Sequence, residues 1–188
     1  MKRVLLSRAS AVVLLILTTV WDAGATYLTL GHRLDMDGNP FIRGMDWKGV
    51  ALIQVIVGVL VVAFFLATYG KQRLFWPGEN VGFMGFIRRC VKENVSFKLK
   101  FSLGARETVY IGQVLLWTLI SAHAIAALIT TVPLLGGPSF LSVARLLGAT
   151  AVRYSQSATT LFIVAGAIVC GHVPLYHAFL QNREEARQ

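Results

Sequence analysis

The sequence has 188 residues, of which 55% are hydrophobic and only 14% are charged, and its formal net charge is +9. Soluble domains average about 25% charged residues. The composition therefore excludes a disordered chain, a disulfide-rich secreted domain and an ordinary soluble enzyme. A chain that is both this apolar and this basic is typical of a multi-pass membrane protein.

Four segments are long and apolar enough to cross a membrane as helices. A transmembrane helix needs about 20 apolar residues to cross about 30 Å of hydrocarbon. The sequence meets this requirement at residues 11–30, 49–69, 109–132 and 157–180. Because backbone groups must be paired inside lipid, a helix bundle is the predicted solution. The predicted fold is all-α: a single integral membrane domain, residues 1–188, with four transmembrane helices.

The first span has an alternative interpretation as a cleaved signal peptide. Residues 1–8 are basic, residues 11–20 are apolar, and the small residues at 23–25 resemble a cleavage site. Trp21 and Asp22 crowd that site, however, and apolar residues continue to Leu30. An uncleaved helix is therefore favoured.

The distribution of basic residues predicts the orientation. Thirteen of the 18 Lys and Arg residues lie in the N-terminal segment, in the loop 70–108 and in the C-terminal tail. Because cytoplasmic segments of membrane proteins carry the excess of Lys and Arg, we expect both termini and this loop to be cytoplasmic. The predicted location is the inner (plasma) membrane.

The basic loop 70–108 shows two amphipathic patterns. Apolar residues recur at helical spacing over 83–95 and alternate with polar residues over 97–103, which predicts an interfacial helix followed by a short strand. Basic residues beside anionic headgroups gain about 1 kcal/mol each. The predicted partner is therefore membrane lipid rather than nucleic acid, with a partner protein as the alternative. The candidate headgroup contacts are Arg88, Arg89, Lys92, Lys98 and Lys100.

A second amphipathic element is predicted on the outer surface. After Gly136 and Gly137, apolar residues form a stripe from Phe140 to Ala151. Pro138 is expected in the first turn of this short interfacial helix, where its missing N–H costs nothing.

Four polar residues within the spans form the candidate site. Asp22 lies about 12 Å from the outer end of the first span, and His123 lies about 13 Å from the outer end of the third, so the two share a depth. Thr26 lies one turn from Asp22, and Gln54 enters from the second span. Ionisable side chains are costly in lipid and indicate a functional site. The alternative is that Asp22 and His123 pair with each other and fix the helix register.

No motif in the sequence points to a metal or a cofactor. The spacing of Asp35, Asp37 and Asn39 lacks the distant Glu of a calcium loop, and Cys90 and Cys170 show no zinc-finger spacing. Nucleophile-elbow, phosphate-loop and zinc-protease motifs are absent. No cofactor, no metal and no catalytic residue are predicted.

The first hairpin resembles a family of small prokaryotic membrane proteins of unknown function. The resemblance rests on Asp22, Thr26, the helix-ending Gly31, and Asn39 with Pro40 after an acidic turn. The chain departs from the pattern in that turn, where Asp37 and Gly38 stand in place of the family's usual Glu and spacer. The resemblance implies a membrane hairpin and no activity.

These observations favour a non-enzymatic function. The leading hypothesis is a small subunit that packs against partner membrane proteins or a second copy, or that binds a small polar ligand. The alternatives are a small transporter or proton-coupled carrier that uses Asp22 and His123, and an intramembrane enzyme in which these residues serve as acid and base.

Overall fold

The computed structural model describes residues 8–31, 44–69, 82, 105–173, 176 and 180. These residues form five helices: α1 (Arg8–Leu30), α2 (Trp47–Tyr69), α3 (Ala105–Leu134), α4 (Phe140–Leu146) and α5 (Ala149–Gly171). No strand occurs among them. The prediction of an all-helical chain is confirmed for this part of the molecule.

Helix α3 is the centre of the bundle. It packs against α1, α2 and α5, while the short helix α4 packs against α5. One apolar cluster joins the first three helices and consists of Ala11, Leu15, Phe65, Leu116 and Ile120. Helices α1 and α3 run parallel, and α2 and α5 run back between the two ends of the bundle. We call the end at which α1 finishes and α2 begins the hairpin end.

Three helices are long and apolar enough to cross a membrane. The candidate spans are Ala9–Leu30, Trp47–Thr68 and Ile111–Leu134. They match the first three predicted spans, and each helix extends two to four residues beyond the predicted start. Most of their large side chains face outward, as lipid-facing helices require.

The fourth predicted span, 157–180, is matched only in part. Helix α5 begins earlier, at Ala149, and ends at Gly171, where His172 is the C-cap. Its apolar portion, Ser157–Gly171, is shorter than a full span. The ring Nδ1 of His172 lies 2.7 Å from the carbonyl oxygen of Ile168, one turn back along the helix.

A helix forms where the outer interfacial helix was predicted, but it is shorter than expected. Helix α4 ends at Leu146, and Gly148 at a φ of 102° breaks the chain before α5, so Ala151 belongs to α5. The placement of Pro138 in the first turn is wrong. Ser139 is the N-cap, because its hydroxyl accepts a hydrogen bond from Ser142 N–H at 3.0 Å and Ser142 Oγ accepts one from Ser139 N–H. This capping box pairs two of the free N–H groups at the helix start, so the helix begins after Ser139 and Pro138 lies before its N-cap.

Several predicted features lie outside the described residues. They include the interfacial helix over 83–95, the strand over 97–103, and most of the outer turn with Asn39 and Pro40. The five candidate headgroup residues Arg88, Arg89, Lys92, Lys98 and Lys100 lie outside as well.

Candidate functional site

The candidate site lies in the packing seam between α1 and α3. On α1 the most enclosed residues follow an alternating spacing of four and three, which keeps them on one face of a helix. This stripe consists of Ala11, Leu15, Thr18, Asp22 and Ala25. Asp22 therefore occupies a position that an apolar residue would normally hold in a helix–helix seam.

Helix α3 presents a matching stripe. Its members alternate between spacings of three and four and are Gln113, Leu116, Ile120, His123 and Ala127. Leu116 and Ala127 have no exposed surface at all. His123 is the ionisable member of the α3 stripe, as Asp22 is of the α1 stripe. The two residues lie at the same level of the bundle.

Asp22 and His123 contact each other directly. Nδ1 of His123 lies 2.8 Å from Oδ2 of Asp22, and each side chain is 15% exposed. When the carboxylate is ionised it can only accept, so the ring donates from Nδ1 and a neutral ring keeps an acceptor at Nε2. The sequence placed both residues at one depth, and the structure brings them within hydrogen-bond distance.

The other two candidate residues do not join the pair. Thr26 and Gln54 are both half-buried. Among the described residues, no hydrogen bond connects either of them to Asp22 or His123. The structure thus brings together two of the four candidate residues and leaves the other two close in depth but without a polar contact.

Two tryptophans that the sequence analysis did not select fix the hairpin end. Trp21 Nε1 donates to Thr131 Oγ1 at 3.1 Å and links α1 to α3. Trp47 Nε1 donates to the carbonyl oxygen of Gly31 at 2.8 Å, and the Trp47 ring meets Tyr27 edge-on at 5.3 Å. For Trp47 the signal in the sequence was its position beside the start of the second predicted span, whereas Trp21 lies in the middle of the first span, where this signal does not apply.

Small residues set the contact between α3 and α5. Ala167 is 1% exposed, and Gly171 is buried. A side chain at Gly171 would collide with the hydroxyl and backbone of Thr118, and one at Gly166 would approach Ile125 Cδ1 to 3.0 Å. Small residues allow two helix backbones to approach closely, so α5 lies directly against α3.

The described residues contain no group of three His, Cys, Asp or Glu side chains that could hold a metal ion. Cys170 is free and exposed on α5. The Asp22–His123 pair is a carboxylate–imidazole contact, which can exchange a proton or form hydrogen bonds.

Comparison with known proteins yields no relative. No family model, no curated protein and no solved structure matches the chain. The similarity of the first hairpin to small prokaryotic membrane proteins stays a resemblance, and the functional argument rests on the geometry.

Proposed function

We propose that this chain is a non-catalytic subunit of a membrane complex, a four-span protein of the inner (plasma) membrane with both termini in the cytoplasm. The observation that carries the proposal is the bond between Asp22 and His123 inside a helix–helix seam. Each ionisable group has the other as its partner, and a polar pair at one layer of a seam is a known means of fixing helix register.

The exposed face of α2 supports a packing function. Between residues 51 and 60, every residue except Gln54 and Gly58 is exposed. The large side chains of this segment are 41–64% exposed and are Leu52, Ile53, Val55, Ile56, Val57, Val59 and Leu60. Such a surface suits lipid or another transmembrane helix, and it gives the subunit a contact face that its own fold leaves uncovered.

The direction of α5 supports the fourth crossing. Gly166 approaches Ile125 and Gly171 approaches Thr118, so α5 runs antiparallel to α3 from the hairpin end towards the opposite end. Both contacts on α3 lie within the candidate span Ile111–Leu134. This alignment of α5 with a candidate span supports the proposal that α5 also crosses the bilayer.

Native electrophoresis in mild detergent tests the subunit hypothesis. The chain should migrate in a species heavier than one copy, and co-expression of two differently tagged copies distinguishes a homo-oligomer from a complex with another protein. Val55→Trp should dissociate the heavier species because it adds bulk to the exposed face of α2. Leu161→Trp is the control, since Leu161 is equally exposed but lies on α5. Migration as a single copy, or equal loss with both variants, would contradict the proposal.

A proton-coupled carrier is the second candidate. It is favoured by the 15% exposure of each member of the Asp22–His123 pair, because a purely structural pair is not required to be accessible. In proteoliposomes, a carrier should lose proton-coupled uptake on Asp22→Asn while keeping its folded fraction. Wild-type vesicles that show no proton movement would remove this candidate.

A further inference from the structure

Only two of the four polar side-chain atoms of Asp22 and His123 take part in the contact between them. Oδ2 and Nδ1 face each other, which leaves Oδ1 of the carboxylate and Nε2 of the ring. No hydrogen bond from the described residues reaches either atom. The only fully enclosed side-chain polar atom without a partner in that part of the chain is Thr118 Oγ1, so Oδ1 and Nε2 are not sealed inside the protein.

Gln54 lies on α2 at the depth of the pair. The Trp47 contacts fix the alignment of α1 and α2 at the hairpin end. Gln54 is seven residues along α2 from Trp47, about 10 Å, and Asp22 is five residues along α1 from Tyr27, about 8 Å. A carboxamide with one acceptor and two donors therefore stands within about one helical turn of the pair's level.

Helix α2 is tightly packed at its ends and loosely packed between them. Its inward stripe is buried at Val50 (5% exposed) and at Phe65 (2% exposed), whereas Gln54 and Gly58 between them are only half-buried. A Cβ added at Gly58 would have no neighbouring atom within 4 Å. The bundle therefore has open space beside α2 at Gly58, one helical turn beyond Gln54 and the level of the pair.

This opening faces sideways rather than along the bundle axis. At the hairpin end, Trp47 closes the gap between α1 and α2 through its contacts with Gly31 and Tyr27. At the opposite end, the apolar cluster around Phe65 and Leu116 closes it. With the helices in a bilayer, whatever fills the opening arrives from the hydrocarbon.

Polar atoms that face hydrocarbon are costly, and a hydrogen-bonding occupant removes that cost. Carboxylate Oδ1 and, in a neutral ring, Nε2 both accept hydrogen bonds, so the occupant must donate. We propose that the space bounded by Asp22, His123, Gln54 and Gly58 is a lateral binding site for a neutral, lipid-soluble amphiphile whose hydroxyl group donates to the pair. This site goes beyond the subunit function and does not depend on it.

Thermal unfolding of the full-length protein in detergent, with farnesol as the probe, tests the proposal. Farnesol should raise the apparent Tm in a saturable manner, and farnesyl methyl ether, which has the same apolar body but no donor, should not. Gly58→Leu fills the open space without touching the pair and should weaken farnesol binding by about tenfold or more. Val59→Leu is the control, because Val59 is 60% exposed and its side chain points about 100° away from that of residue 58.

Three results would each overturn the proposal: equal shifts with the alcohol and its ether, an unchanged shift in Gly58→Leu, or no shift in wild type. A second measurement tests whether water fills the opening instead. With Cys90 and Cys170 replaced by Ser, Gly58→Cys in intact membranes should resist a charged, membrane-impermeant thiol reagent applied to either side. Rapid modification would show an aqueous cleft and would also overturn the amphiphile assignment.

Discussion

At the residue scale, the contact between Asp22 and His123 fixes how α1 aligns with α3. Both residues occupy packing positions in stripes whose other members are mostly small or apolar side chains, such as Ala25 and Ala127. Burial of the pair costs desolvation free energy. In exchange, the two side chains form a directional hydrogen bond, which apolar side chains cannot form. A slip of one position along either helix would separate the two groups, so the pair selects a single register for α1 against α3.

Mutation of the pair should be strongly non-additive. Asp22→Leu or His123→Leu alone leaves one polar group without its partner and should lower the free energy of unfolding by about 1–2 kcal/mol. The double variant Asp22→Leu/His123→Leu should recover most of that loss, because no unpaired group remains. Equilibrium unfolding in a mixed detergent titration measures all four proteins. Strict additivity of the two single losses would show that the contact does not couple the helices.

Trp47 makes two separable contributions at the hairpin end. Trp47→Phe removes the hydrogen bond to Gly31 but keeps an aromatic ring against Tyr27, and it should cost about 0.5–1.5 kcal/mol. Trp47→Ala removes both contacts and should cost clearly more. The same unfolding assay measures both variants. Equal losses in the two variants would mean that the ring contact with Tyr27 contributes nothing.

At the element scale, α3 is held by two different kinds of contact. Its seam with α1 is built on side chains that interlock at heptad spacing, whereas its contact with α5 depends on the absence of side chains at Gly166 and Gly171. The Thr118 hydroxyl has no hydrogen-bond partner among the described residues and faces Gly171. Close backbone approach therefore replaces side-chain interlocking on this side of α3.

The two glycines of α5 should respond differently to alanine. A Cβ at Gly171 would meet the backbone N and Cα of Thr118 at 3.1 and 3.2 Å, as well as its hydroxyl. A Cβ at Gly166 would meet only the mobile end of Ile125. We expect Gly171→Ala to destabilise the bundle by about 1–3 kcal/mol, and Gly166→Ala to change little. Alanine gains at most about 1 kcal/mol of helix propensity at either position, so a difference between their unfolding free energies larger than this reports the steric effect.

At the scale of the whole molecule, the direction of each helix decides where the chain ends lie. Helices α1 and α3 run parallel, and α2 and α5 run in the opposite direction. This arrangement, together with the concentration of Lys and Arg in the loop 70–108, agrees with the proposed topology in which both termini are cytoplasmic. It has an even number of crossings only when α5 also spans the bilayer.

Reporter fusions at Gly85 and at the C-terminus should test that topology. We expect an alkaline phosphatase reporter, which is active only outside the cytoplasm, to be inactive at both positions. A green fluorescent protein, which folds in the cytoplasm, should fluoresce at both. An active phosphatase at the C-terminus alone would mean that the chain crosses the membrane three times. An active phosphatase at Gly85 would reverse the proposed orientation.

The sequence by itself determined the helical class, the three helices that are long and apolar enough to cross a membrane, and the shared level of Asp22 and His123. Each of these follows from quantities that are local in the chain: the length of an apolar run, its lack of alternation, and a rise of about 1.5 Å per residue. The resemblance of the first hairpin to small prokaryotic membrane proteins did not indicate an activity.

Only the tertiary structure decided which faces of the helices meet. In a soluble helix the apolar stripe marks the buried face, but a transmembrane helix is apolar on every side, so hydropathy does not distinguish lipid from protein. The sequence therefore could not separate Gln54, which stands apart from the pair, from His123, which joins it. It could not place Trp47 on Gly31 or Gly171 on Thr118, because those contacts depend on how neighbouring helices align, and no local property of either helix fixes that alignment.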